Sequence, residues 1–164
     1  MAVHRLEHIA DLSTAEGLTA LLGPVAGVER APLAGGGRSG SALERLRVRL
    51  ATGAEVPLVL KHTRLAEDLV AAGTGDALGR EAALLAEPAL GDVWAAFGCP
   101  YRAWATADGE IALLMDDLSP DLVPDDRPLS AAQEDALLEA LARLHARYWG
   151  SDALRLPWLT PPLA

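Results

Sequence analysis

Cysteine and lysine each occur once in this chain of 164 residues, cations are outnumbered by anions, and no apolar run approaches membrane-spanning length. The lone cysteine, Cys99, excludes an internal disulfide framework and suits a reducing compartment. No histidine lies near it in sequence, so a neutral or buried thiol is expected there rather than a nucleophile. Fourteen lysines and arginines face 23 aspartates and glutamates, a net charge of −9. That balance excludes nonspecific binding to nucleic acid or to an anionic membrane, so an anionic ligand needs a local basic pocket. The missing apolar run excludes a transmembrane helix, and Arg5, Glu7 and Asp11 break up any signal-peptide core. A cytoplasmic location is expected, with neither a nucleic-acid nor a membrane partner. With 51% hydrophobic and 23% charged residues, the length suffices for one domain with a real core.

Against this scarcity, Lys61 stands out, because thirteen arginines carry the rest of the positive charge. A compact ammonium on a flexible stem does what a planar guanidinium cannot, and a phosphate-binding role is the first expectation. Lys61 ends the apolar run Val56-Pro57-Leu58-Val59-Leu60, which reads as a strand.

Ser13-Thr14-Ala15-Glu16 reads as a capping box opening a short helix through Leu18, Leu21 and Leu22, which Gly23-Pro24 ends. Residues 25–33 read as a strand that leads into a glycine-rich turn, residues 34–41. Leu46, Val48 and Leu50 then alternate with Arg45, Arg47 and Arg49, the pattern of a half-buried strand with a solvated arginine face. Residues 51–54 form a turn and 56–62 return, giving an antiparallel meander of three strands. A loop with Gly73 and Gly75 leads into a helix over 76–90, with Leu78, Ala82 and Leu85 on its apolar side. Residues 100–106 and 111–115 read as two more strands joined by a turn at Asp108-Gly109. The proline- and aspartate-rich stretch 116–128 reads as a linker. Ser130-Ala131-Ala132-Gln133 is a second capping box, opening the strongest helix, with Leu137, Leu141, Leu144 and Tyr148 on one stripe. Gly150 ends it.

Three features fall in an order more specific than any one of them. A glycine-rich turn lets backbone N–H groups approach phosphate oxygens, a lysine on the third strand reaches the same phosphates, and Glu81 on the following helix can hold that lysine. Strand alternation puts Val59 and Lys61 on one face.

In that order, residues 35–41, Leu58-Val59-Leu60-Lys61, Gly79-Arg80-Glu81-Ala82, residues 111–118 and Leu141-Ala142-Arg143-Leu144-His145-Ala146 resemble the N-terminal lobe of the aminoglycoside phosphotransferase and choline kinase-like superfamily. Residues 146–159 look most like its ecdysteroid-kinase-like branch. The resemblance implies an α+β fold: a protein-kinase-like N-lobe with a mostly antiparallel five-stranded sheet and one packed helix, then a hinge and a C-terminal amphipathic helix. The corresponding divisions are 1–115, 116–129 and 130–164. It implies ATP as ligand. Gly35, Gly36, Gly37, Ser39, Gly40 and Ser41 would cover the nucleotide, Val59 would cap the adenine, and Lys61 would contact the α- and β-phosphates and pair with Glu81. Met115 would back the adenine pocket, with the C=O of Asp116 and the N–H of Leu118 at the adenine edge. Asp116 and Asp117 are then hinge residues, or else two solvated turn aspartates. His145 reads as a core or helix-end residue, Arg38 as a loop arginine or a phosphate contact, and Trp149 and Trp158 as packing aromatics. Asp121, Asp125 and Asp126 lack the spacing of a calcium loop.

The family's catalytic loop begins with a histidine, and none of His4, His8, His62 and His145 begins such a loop. Its magnesium ligands and acceptor pocket also have no counterpart in this sequence, so magnesium is expected only with a complete C-terminal lobe. Three readings stay open: a truncated or split phosphotransferase that is inactive alone, a pseudokinase-like nucleotide-binding module, and a small interaction domain. The leucine face of the helix at 130–149, left uncovered, implies a second polypeptide or self-association.

Overall fold

The structure, a computed structural model, describes residues 3–33, 40–124 and 126–159. Six strands are found among these residues: His4–Arg5 (β1), Val25–Pro32 (β2), Ala42–Leu50 (β3), Glu55–Arg64 (β4), Tyr101–Ala107 (β5) and Glu110–Asp116 (β6). They form one mixed sheet in the order β1-β5-β6-β4-β3-β2. Five α-helices accompany it: Ala15–Leu22 (α1), Leu69–Thr74 (α2), Arg80–Ala86 (α3), Val93–Phe97 (α4) and Ala131–Tyr148 (α5). The chain is thus α+β.

The period-two pattern decides which side chains lie on each face of the sheet. Leu46 pairs with Leu58 and Val48 with Val56 in the antiparallel β3–β4 ladder. Leu46, Val48, Leu58 and Leu60 point to one side, where they meet Ala103, Ala105, Ala112 and Leu114 of the other hairpin. Leu18 of α1 and Leu12 of the 3-10 turn Ile9–Ser13 close this core, and both are fully buried. Each such leucine contributes about 1.5–3 kcal/mol of burial. The opposite face carries a smaller cluster of Trp104, Ile111 and Leu113, which Ala82 of α3 covers. Half-buried Tyr101, Met115 and Leu85 pack at its margin. The β5–β6 hairpin turns at Asp108-Gly109, where Asp108 itself takes a φ of 47°.

Several expectations are corrected. The sheet has six strands, because His4 and Arg5 pair in parallel with Ala103 and Trp104; two residues are too few to show a periodicity. The first cap is Thr14, whose Oγ1 accepts from the Gly17 N–H at 3.2 Å. Gly17 at the third helical position has no side chain to complete a box. The helix expected over 76–90 is α3 alone, Arg80–Ala86. Asp76 accepts from the Gly79 and Arg80 N–H groups and starts it late, and Glu87-Pro88 ends it early. Leu78 consequently lies outside the helix and is 65% exposed. At Gly79 φ is +76°, which favours glycine, and a Cβ there would lie 1.7 Å from Ile111 Cδ1 and force that side chain to shift.

The second capping box forms as read, with Ser130 and Gln133 bonded reciprocally. On α5, however, only Tyr148 of the four stripe residues is buried, while Leu137 and Leu141 are exposed. Trp149 is exposed too, and does not pack. Among the described residues no helix is long and apolar enough to cross a membrane.

Candidate functional site

β4 displays Val59, Lys61 and Thr63 on the face that α3 covers, away from the leucine core. Lys61 stands opposite Leu43 of β3 and Leu113 of β6. Its ammonium meets Glu81 Oε2 of α3 at 2.6 Å. Among the described residues Glu81 is its one partner, which leaves two of the three ammonium donors available. The two side chains are 23% and 44% exposed, so the pair is reachable from solvent.

Beyond Lys61 opens a cleft of about 300 Å³, lined by Thr63, Asp68, Asp76, Arg80 and Ile111 among others. Its floor is a buried polar cluster. Ser41 Oγ and Thr63 Oγ1 share a 2.7 Å hydrogen bond, and Ser41 Oγ also donates to Asp68 Oδ2 at 3.4 Å. Asp68 Oδ1 accepts from the Val70 and Ala71 N–H groups and caps α2. The end of the glycine-rich segment is thereby pinned, and a Cβ at Gly40 would come within 3.1 Å of the Glu67 carbonyl oxygen. Arg80 spends its donors on Thr74 Oγ1, Thr74 O and Trp158 O. Among the described residues three carboxylates and two cations line this cleft. The cations that these residues offer an anion are Lys61, ion-paired with Glu81, and Arg80, whose hydrogen bonds go to neutral oxygens.

One row further along the same face, Arg45 of β3, Val59 of β4, Met115 of β6 and Tyr101 of β5 stand side by side in register. Val59 is 7% exposed. Burial, reinforced by the charge of Glu81 and then of Cys99, pushes the Tyr101 phenol up to about 12. Arg45 lies on the arginine face that its alternation implied, with its side chain 42% exposed, but it is engaged rather than free. Its Nε donates to Asp117 Oδ2 at 2.9 Å and its Nη2 to Ser119 Oγ at 3.0 Å. Asp117 is not a solvated turn residue: its side chain is 9% exposed. The Ser119 hydroxyl, then its backbone N–H and Arg45, hold the Asp117 carboxyl below the ordinary aspartate range. Asp116 pairs with Arg102 at 2.7 Å.

The structure thus brings Lys61 and Glu81 to one cleft, places Ser41 behind its lining residues Thr63 and Asp68, and aligns Val59 and Met115 beside it. Asp116 and Leu118 line a separate cavity of about 430 Å³ with Trp94, Cys99 and Tyr101, which shares no lining residue with the Lys61 cleft. Gly35, Gly36, Gly37, Arg38, Ser39 and Asp125 lie outside the described residues. No three His, Cys, Asp or Glu side chains among the described residues cluster as metal ligands.

Sequence reasoning missed Thr63, Asp68 and Arg45. Thr63 was within reach, since the meander's register sets it opposite Ser41. Asp68 also carried a signal, an aspartate immediately before an apolar helical turn. Arg45 carried none, because its partner lies 72 residues away.

No protein-family model matches this chain, and neither a curated protein nor a solved structure does.

Proposed function

We propose that this chain is the ATP-binding portion of a phosphotransferase that acts on a hydroxyl group of a small molecule, with the layout of a protein-kinase-like N-lobe. The observation that carries the reading is the 2.6 Å pair of Lys61 and Glu81. It joins the chain's only lysine to the acidic residue that the resemblance selects, across a strand and a helix and beside the pinned end of a glycine-rich segment. A phosphate fits this donor set, because an ammonium held on one side by a carboxylate keeps donors for a second anion. On this reading Val59 and Met115 pack against the adenine, and the Asp116 C=O and Leu118 N–H meet its edge. Nucleotide binding is assigned to these residues, and no transfer step is.

Thermal melting with ATP, with and without magnesium, tests the proposal. Saturating nucleotide at about 100 times Kd stabilises a binding-competent chain by about 2.7 kcal/mol. Lys61→Ala is expected to abolish the shift; an unchanged shift would remove Lys61 from the site. Phosphate transfer by the purified chain alone would show that it carries more of the site than assigned here.

A second reading has its own observation. Leu137, Leu138 and Leu141 of α5 are 46%, 63% and 36% exposed, and Trp149 beside them is 86% exposed. Such a face suits a second polypeptide or self-association. An interaction module of this kind, without catalysis, is favoured if no nucleotide shifts the melting temperature.

A further inference from the structure

We infer that Arg45 and Asp117 form a latch that sets which nucleobase the proposed site accepts; this rests on the nucleotide-binding reading above.

β6 ends at Asp116, and the segment after it holds only the short 3-10 turn Ser119–Asp121, whose Asp121 N–H donates to the Leu118 carbonyl at 2.9 Å. Four bonds fix residues 117–119. Arg45 reaches from β3 to Asp117 Oδ2 at 2.9 Å and to Ser119 Oγ at 3.0 Å. The Asp117 N–H donates to the Pro57 carbonyl at 3.4 Å, and Asp117 Oδ1 accepts from the Ser119 N–H at 3.0 Å. One carboxylate therefore bonds both to its own segment and to a neighbouring strand. The two acceptors are met by separate nitrogens of one planar guanidinium, Nε and Nη2.

The latch sits where a base would be read. Arg45 is cross-strand neighbour to Val59, and Val59 to Met115, so the guanidinium stem borders the row proposed to pack on the base. Leu118 lies between the two residues that Arg45 grips. Among the described residues its N–H has no hydrogen-bond partner.

A fixed acceptor beside a fixed donor distinguishes the purines. Adenine offers an amino donor where guanine offers a carbonyl acceptor, so an edge built from the Asp116 C=O and the Leu118 N–H matches one and clashes with the other. Such discrimination holds only while the peptide groups cannot turn, because a mismatched polar pair is penalised when neither partner can relax. Arg45 and Asp117 are thus positioning residues. They act on the base through the backbone between them.

Binding of ATP and of GTP to the full chain, measured by calorimetry with magnesium, tests this. The wild type is expected to prefer ATP. Arg45→Met and Asp117→Asn should each lower that preference by about 10-fold or more, and the double variant no further than either single one. Lys61→Met should weaken both nucleotides alike, because it meets phosphates that they share. The Arg45 pair is partly solvent-exposed, so the free protein should melt close to the wild type. If Arg45→Met fails to fold, Asp117→Asn carries the same comparison.

Equal binding of ATP and GTP by the wild type, or an ATP preference that survives both substitutions, would overturn the latch while leaving a Lys61-dependent nucleotide site intact. Failure of the wild type to bind either nucleotide would overturn both.

Discussion

The Lys61 ammonium lies 2.6 Å from the Glu81 carboxylate, and what joins them is the docking of a short helix on a strand. β4 presents Lys61 on the face opposite the leucine core, and Ala82 seats α3 on that face against Ile111 and Leu113. Glu81 is the residue before that anchor, so burial of one small side chain fixes the reach of the carboxylate beside it. Because the pair is partly exposed, its coupling should be modest. A double-mutant cycle with Lys61→Met and Glu81→Gln, followed by urea unfolding, should give about 0.5–1 kcal/mol. A coupling of several kcal/mol would mean that the pair serves stability, and would weaken the case for a ligand site.

The same docking depends on Gly79. Its φ of +76° strains any other residue there, and a Cβ would lie 1.7 Å from Ile111 Cδ1, so the Ile111 side chain would have to shift. Gly79→Ala should cost about 2–4 kcal/mol, combining left-handed backbone strain with overpacking. In an Ile111→Ala background the steric part disappears and about 1–2 kcal/mol should remain. A full cost in that background would place the whole penalty in the backbone.

These residues also mark where the sequence stops being informative. The alternation of Leu46, Val48 and Leu50 with arginines is a local pattern, and it yields the strand, its core face and the meander. Ser130 and Gln133 are likewise local, and their box forms. Glu81 was legible from its order, as an acidic residue on the helix that follows the lysine strand, and the resemblance selects the same residue. The helix around it was not legible in length, since Leu78 continues the helical spacing while Asp76 and Gly79 turn the backbone away from it. β1 pairs through two residues and leaves no period to read. Arg45 looks identical to Arg47 and Arg49 in sequence. Only the order β3-β4-β6 brings it to Asp117, and that order emerges from the assembled sheet.

Asp68 ties the cleft floor to α2, and its loss should be felt in both places. Asp68→Ala removes a cap and leaves the buried Ser41 hydroxyl with one partner fewer, at a cost of about 1–3 kcal/mol. Asp68→Asn keeps an oxygen acceptor for the Val70 and Ala71 N–H groups and should cost less. Hydrogen exchange checks the assignment, because the amides of Val70 and Ala71 should lose protection in the alanine variant before the strands do. Unchanged protection there would mean that α2 holds without its cap.

Tyr101 supplies a pH signature for this face of the sheet. Its phenol is raised to about 12, by burial first and then by the negative charges of Glu81 and Cys99. An ordinary tyrosine in the unfolded chain titrates near 10. The folded state therefore holds this proton more tightly, so the stability tied to it is fully present below about pH 10 and is lost as the pH rises towards 12. Tyr101→Phe should remove that part of the alkaline decline, and Glu81→Gln should lower the phenol's titration point without abolishing it. Ultraviolet titration of phenolate in the folded protein follows the group directly. Phenolate appearing at the unperturbed value would show that Tyr101 is open to water, and with it the row of Val59 and Met115.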